Sequence, residues 1–149
     1  MAIEAKPKAQ VFSMRTPLLS LGRTNLGVAR TDLMTVTVKV YAEGGENALH
    51  THLNEDHAFV VLQGEATFYD EKENVTVLHK NEGISLPRGA YYYFNASGDE
   101  NLVLLRFGAL AGPRTGGDGR LGVDGNPLDA NSAENNHVDG VPIPGRFFE

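Results

Sequence analysis

Three of the five histidines fall within eight residues, at His50, His52 and His57. In an extended strand, side chains two apart leave on the same side. His50 and His52 would then present two imidazoles to one face, about 6–7 Å apart along the strand. His57 follows the polar stretch Leu53-Asn54-Glu55-Asp56 and opens an apolar run in which Phe59 and Val61 share its face. If the two short strands pair, all three rings look into one interior. Neutral imidazoles bind divalent metals, and three of them leave coordination positions open for water or substrate. The plain alternative is three separately satisfied histidines, which the strand–turn–strand spacing disfavours. Asp56 lies one residue out of the inward register. Glu55 is in register with His57, but it is expected in the turn. His79 sits beside Lys80 and Asn81 and is expected at the surface. His137 reaches the site only if the C-terminal segment folds over it.

The surrounding sequence supplies strands. MTVTVKVY, from Met34, alternates Val36, Val38 and Val40 with Thr35, Thr37 and Lys39, a period of two that marks a strand with unlike faces. Glu43-Gly44-Gly45-Glu46 reads as a turn, Ala48–His52 as a short strand, and Leu53–Asp56 as a second turn. Ala58–Leu62 is rich in valine. Gln63-Gly64-Glu65 reads as a tight hairpin turn answered by Ala66–Tyr69. Further strands are expected at Asn74–His79, Ile84–Leu86, Tyr91–Phe94 and Leu102–Leu110, separated by Gly, Asn or Pro. No stretch between residues 32 and 110 holds a helical period. Short strands at this spacing argue for an antiparallel sandwich or barrel. Residues 1–31 read as edge strands with loops. Residues 111–149 hold eight of the 17 glycines and four of the seven prolines. They read as an extended tail, anchored by Val141-Pro142-Ile143-Pro144-Gly145 and Phe147-Phe148, that packs on the barrel or on a partner subunit.

Composition removes whole classes of chemistry. The chain of 149 residues contains no cysteine, so disulfides, thiolate zinc sites, iron–sulfur clusters and cysteine nucleophiles are out. Any metal must be held by nitrogen and oxygen. A net charge of −6 argues against a nucleic-acid or anionic-membrane partner. No apolar run approaches the length of a membrane span, and MAIEAKPKAQ lacks the apolar core of a signal peptide. A cytoplasmic location is expected. There is no Gly-x-Ser-x-Gly, and Gly116, Gly117 and Gly119 lie in the polar tail rather than in a phosphate loop.

Gly44 is followed by five residues and then His50-Thr51-His52, with His57 and Gly64 completing the spacing. This resembles the first motif of the cupin superfamily, with His57 at the place of its glutamate. Pro87-Arg88-Gly89 resembles part of the second motif. There the opening glycine falls at Asn81, the histidine position holds Tyr92, and the asparagine position holds Ala96, with Asn95 one place early. The resemblance implies an all-β, single-domain antiparallel jelly-roll barrel over residues 32–110 with a metal in its mouth. It also implies that dimers are common, so a homodimer is expected. His50, His52 and His57 would hold one divalent transition metal, Fe above all, with Zn, Ni, Mn, Co or Cu as alternatives. Such a ligand set carries no charge unless another group enters.

Tyr92 has three open readings: a fourth ligand, a hydrogen-bond donor or acid toward substrate or metal-bound water, or plain packing. As the catalytic candidate it is read as the donor. Phe59 and Phe94 would form an apolar pocket wall. Arg106, in an otherwise apolar strand, would hold a substrate carboxylate or enolate, unless it snorkels from the outer face. Among cupins with histidine-only sites, the resemblance points to oxygenases of diketones, hydroxyketones or small aromatics. The alternatives are a non-redox isomerase, lyase or hydrolase using Zn, Ni or Mn, and a cupin that captures a small ligand without turnover. The fold alone does not choose between them.

Overall fold

The computed structural model describes residues 5–43, 47–112 and 119–149. Gly44, Gly45 and Glu46 of the expected turn and motif, and Gly116 and Gly117 of the tail, lie outside the described residues. The strands are β1 (Thr16–Leu21), β2 (Arg23–Arg30), β3 (Met34–Tyr41), β4 (His50–His52), β5 (Glu55–Gln63), β6 (Ala66–Tyr69), β7 (Val75–Leu78), β8 (Gly83–Leu86), β9 (Tyr93–Ala96), β10 (Leu102–Leu110), β11 (Arg120–Gly122) and β12 (Val141–Phe148). One 3-10 turn, Ala133–Asn135, is the only helical element among the described residues. None of these elements is a helix long and apolar enough to cross a membrane.

One wall of the barrel is the antiparallel sheet β2-β3-β10-β5-β8. The other contains β7-β6-β9 and β11-β4. These two pieces join at His50 and Tyr92, which exchange backbone hydrogen bonds of 3.1 and 2.9 Å. Alternation then sorts side chains to two faces, as the pleat requires. Tyr41, Phe59, Val61, Phe68, Tyr92, Phe94, Leu102 and Leu104 fill the space between the walls. Phe68 and Phe94 stack there with centroids 4.9 Å apart. Leu19, Val38, Val40 and Val103 form a second cluster on the outer face of the five-stranded sheet, joined by Met14, Leu18 and Phe148. The inward set of β10 is therefore Leu102, Leu104 and Arg106. Arg106 does not snorkel from the outer face.

Three local expectations are corrected. The stretch Gln63-Gly64-Glu65 does not close a hairpin, because β5 pairs with β10 and β8 while β6 pairs with β7 and β9. Gly64 instead carries the chain from one wall to the other, at φ 82°, where a Cβ would stand 2.7 Å from the Asn101 carbonyl oxygen. The turn after β4 is shorter than expected, because Glu55 and Asp56 already belong to β5. β4 pairs with β11 rather than β5. Beyond residue 111, β11 lies against β4, and β12 runs antiparallel to β1 with Thr16 opposite Phe148.

Candidate metal centre

His50 and His52 lie two apart on β4, and their ring centroids are 5.0 Å apart at an interplanar angle of 85°. His57 comes from β5 in the opposite wall, with its ring 4.3 Å from that of His52. The three imidazoles thus meet across the gap between the sheets rather than along a β4–β5 pair. All three are buried.

Each ring nitrogen has a readable role where its partner is known. His50 Nδ1 lies 2.7 Å from the Ala48 carbonyl. A carbonyl only accepts, so Nδ1 carries the proton and Nε2 keeps its lone pair. That buried Nε2 has no hydrogen-bond partner. His57 Nε2 donates to Glu55 Oε2 at 2.9 Å, and its Nδ1 lies 3.3 Å from the Tyr92 hydroxyl, which donates to it. Burial pushes the pKa of His50 down to about 3, with Arg120 adding to the effect. Burial lowers His52 strongly, helped by His57 and His50. Burial also lowers His57, against the opposing effect of its hydrogen bond to Glu55. All three rings are neutral at neutral pH, the form a metal requires.

Glu55 is the residue that sequence reasoning misplaced. It is buried, bonded to His57, and brings a carboxylate to a site expected to have none. The signal was its in-register spacing with His57. Gly108 makes room for it: a Cβ there would stand 2.7 Å from Thr35 Oγ1 and 2.9 Å from Glu55 Oε2. Arg106 lies opposite Phe59 on β5 and Thr37 on β3, and its Nη2 is 3.4 Å from Thr37 Oγ1. A cavity of about 540 Å³ is lined by Thr35, Thr37, Glu55 and Arg106 from these inner faces, and by Gly27–Arg30 along β2. Phe59 and Phe94 do not line it. They are fully buried in the core behind the histidines. His79 is on the surface between Glu65 and Glu82. His137 binds Arg23 and Asp139 instead of the centre. Asn135, also unforeseen, accepts from the Ala48 N–H at 3.2 Å and so braces the residue that orients His50.

The donor set fits a divalent ion in its chemistry. His50 offers a bare lone pair, His52 a second neutral imidazole, and the His57–Glu55 pair one nitrogen or one oxygen donor. Among the described residues no three side chains stand arranged as a finished ligand set, and both nitrogens of His57 are engaged, Nε2 with Glu55 and Nδ1 with the Tyr92 hydroxyl.

Residues 37–107 match the family model described as a cupin domain. The fold is similar to that of a protein with a double-stranded β-helix domain from Klebsiella pneumoniae, at TM-score 0.63 and 21% identity, covering 76% of this chain and 95% of that one. It is also similar to KdgF from Halomonas sp., at TM-score 0.54 and 21% identity, covering 63% and 81%. A third likeness is to a putative sugar phosphate isomerase from Acidithiobacillus ferrooxidans, at TM-score 0.52 and 24% identity, covering 58% of each chain. At these identities the likeness is one of fold. No curated protein sequence matches the chain.

Proposed function

Because the barrel of this chain belongs to the cupin superfamily, we propose that it is a metal-dependent enzyme whose centre is built on His50, His52 and His57. The observation that carries this reading is the buried, unpartnered Nε2 of His50 beside two more neutral imidazoles. A lone pair buried without a donor is costly, and a divalent ion satisfies it. When bound, such an ion polarises coordinated substrate oxygens, and as Fe(II) it supports O₂ chemistry. Small diketones, hydroxyketones or aromatics are the substrates this dioxygenase-like reading assigns.

The chain's own groups have assignable parts. The Ala48 carbonyl fixes the tautomer of His50. The Tyr92 hydroxyl, 3.3 Å from His57 Nδ1, is placed to donate a proton or a hydrogen bond at the centre. Arg106 and Glu55 face the cavity through which a small molecule would enter.

A second reading has its own support. Glu55, which lines the cavity, forms a buried carboxylate–imidazole pair with His57, a combination suited to moving protons on a bound substrate. That favours a non-redox isomerase or lyase.

Elemental analysis of purified protein, with His50→Ala and His57→Ala alongside, tests the shared premise. The expected result is one transition metal per chain, lost in His50→Ala. Unchanged metal content in both variants would leave only capture of a small ligand. Oxygen uptake by the Fe(II)-loaded protein with diketones, hydroxyketones or small aromatics supports the first reading. Turnover without oxygen uptake, with zinc, nickel or manganese retained, supports the second.

A further inference from the structure

Among the described residues, more basic than acidic side chains are buried. Arg23, Lys39 and Arg120 are buried, and Glu55 is the one acid buried among the described residues. Arg23 directs its guanidinium to His137 and the Ala130 carbonyl. Lys39 and Arg106 are different. Lys39 projects inward from β3, two residues from Thr37 and opposite Leu104, beside Arg106 opposite Thr37. Its Nζ lies 5.6 Å from the Tyr41 ring centre, and it makes no hydrogen bond or ion pair with a described residue. The Nε of Arg106 is buried without a partner, and its Nη2 has only the long contact to Thr37. The three histidines are neutral and offset nothing.

Burying a cation without a counter-charge is expensive. Lysine can relieve the cost by losing its proton, and its pKa is lowered well below the usual value by burial and by Arg106, Arg120 and Arg23. Arginine cannot. Glu55 answers one of these charges at most, and it is already bonded to His57.

We infer that the barrel interior binds an oxyanion, the carboxylate or phosphate group of a small ligand, held between Lys39 and Arg106. This rests on the reading above that the barrel interior is the substrate site, and it narrows the substrates to anionic ones. The cavity, at about 540 Å³, is lined by Arg106 and Thr37, while Lys39 stands two residues beyond Thr37 on the same strand and outside the lining; its volume lies in the size range of small-molecule sites. The planar guanidinium suits two oxygens at once, while an anion bound beside Lys39 offsets its desolvation and favours the protonated amine, which then acts as a point charge.

The test is calorimetric titration of the purified full-length chain with malonate and with inorganic phosphate at constant ionic strength, with dimethyl malonate as the neutral control. Binding of at least one anion, and none of the diester, is expected; a preference for one anion identifies the group. Arg106→Gln and Lys39→Met should each weaken it tenfold or more with metal content unchanged. Lys39→Met should also melt higher than the parent chain in the absence of anion. If a variant does not fold, a rise in the melting temperature of the parent chain with anion but not with diester carries the test. No binding of either anion, or equal affinity in both variants, overturns the inference. Loss of metal in His50→Ala with anion affinity intact would leave it standing. Unchanged metal in His50→Ala together with selective anion binding would overturn the metal reading alone.

Discussion

Glu55 Oε2 accepts the Nε2–H of His57 at 2.9 Å, two residues along the same strand and inside the barrel. The pair faces Gly108 on the neighbouring strand, which stands opposite His57 in the ladder. The carboxylate keeps the ring in one tautomer, and the ring keeps a buried carboxylate hydrogen-bonded. A carboxylate and an imidazole are both chemically able to bind a metal, and here each occupies the other.

Glu55→Gln keeps the volume and the hydrogen-bonding oxygen but removes the charge. Metal affinity should fall about 10–100-fold, the usual effect of altering a group that orients a ligand. Competition against a chelator measures it. Unchanged affinity would mean that the carboxylate serves folding alone.

Gly108→Ala places a methyl group 2.7 Å from Thr35 Oγ1 and 2.9 Å from Glu55 Oε2. One or both must move, and overpacking of this kind costs about 1–3 kcal/mol. Urea denaturation should show that loss. Metal affinity should fall with it, because the displaced carboxylate leaves His57.

Tyr92→Phe preserves the ring, which packs 4.5 Å from His50 and 5.9 Å from Phe59. The change removes only the hydroxyl. Stability should shift by about 1 kcal/mol, and metal content should stay the same. Turnover should fall by about 10²-fold, the lower end for loss of a general acid. Equal turnover would reduce Tyr92 to packing; loss of the metal would make it a ligand.

Acid should destabilise the metal-free protein from about pH 6.5 downward. Burial holds the pKa of His50 in the folded chain down at about 3, below the ordinary value of 6.5, and His52 and His57 are lowered in the same direction. Between the two values the unfolded chain binds protons that the native chain refuses. The contribution of His50 is therefore complete above pH 6.5 and is lost as pH falls toward 3, by about 1.4 kcal/mol per pH unit, and His52 and His57 add losses in the same direction. Melting curves across this range check the slope. A melting temperature that is flat from pH 7 to 4 would contradict the buried, neutral state of the rings.

Much of the centre was legible because it obeys short-range rules. The His50–His52 spacing reports a common face as soon as β4 is extended, and Val36, Val38 and Val40 report β3 by alternation. Arg106 needed one more fact, namely which face of β10 turns inward, because apolar residues fill both of its faces. Glu55 was misplaced because turn-forming neighbours conceal where a strand begins. Lys39 hid within the alternation itself, where a lysine between valines reads as solvent-facing; only the second wall makes that face interior. Arg120 and Asn135 could not be foreseen, since a Gly-, Pro- and Asn-rich composition carries no pairing register. Phe59 and Phe94 were correctly placed on inward faces, but depth along the barrel decides whether an inward ring lines a cavity or fills the core.

The ribbon of β1 and β12 has a consequence for the chain while it is being made. β12 brings Phe148 onto the outer cluster of Leu19, Val38, Val40 and Val103, and it follows the strands of both walls in sequence. During translation the strands of both walls leave the ribosome first and can close on one another. The outer patch then waits, only partly covered by β1, until β12 emerges. Exposed apolar surface of this kind is where nascent chains associate wrongly. The interval before β12 arrives is thus one in which dilution or a chaperone would guard this patch.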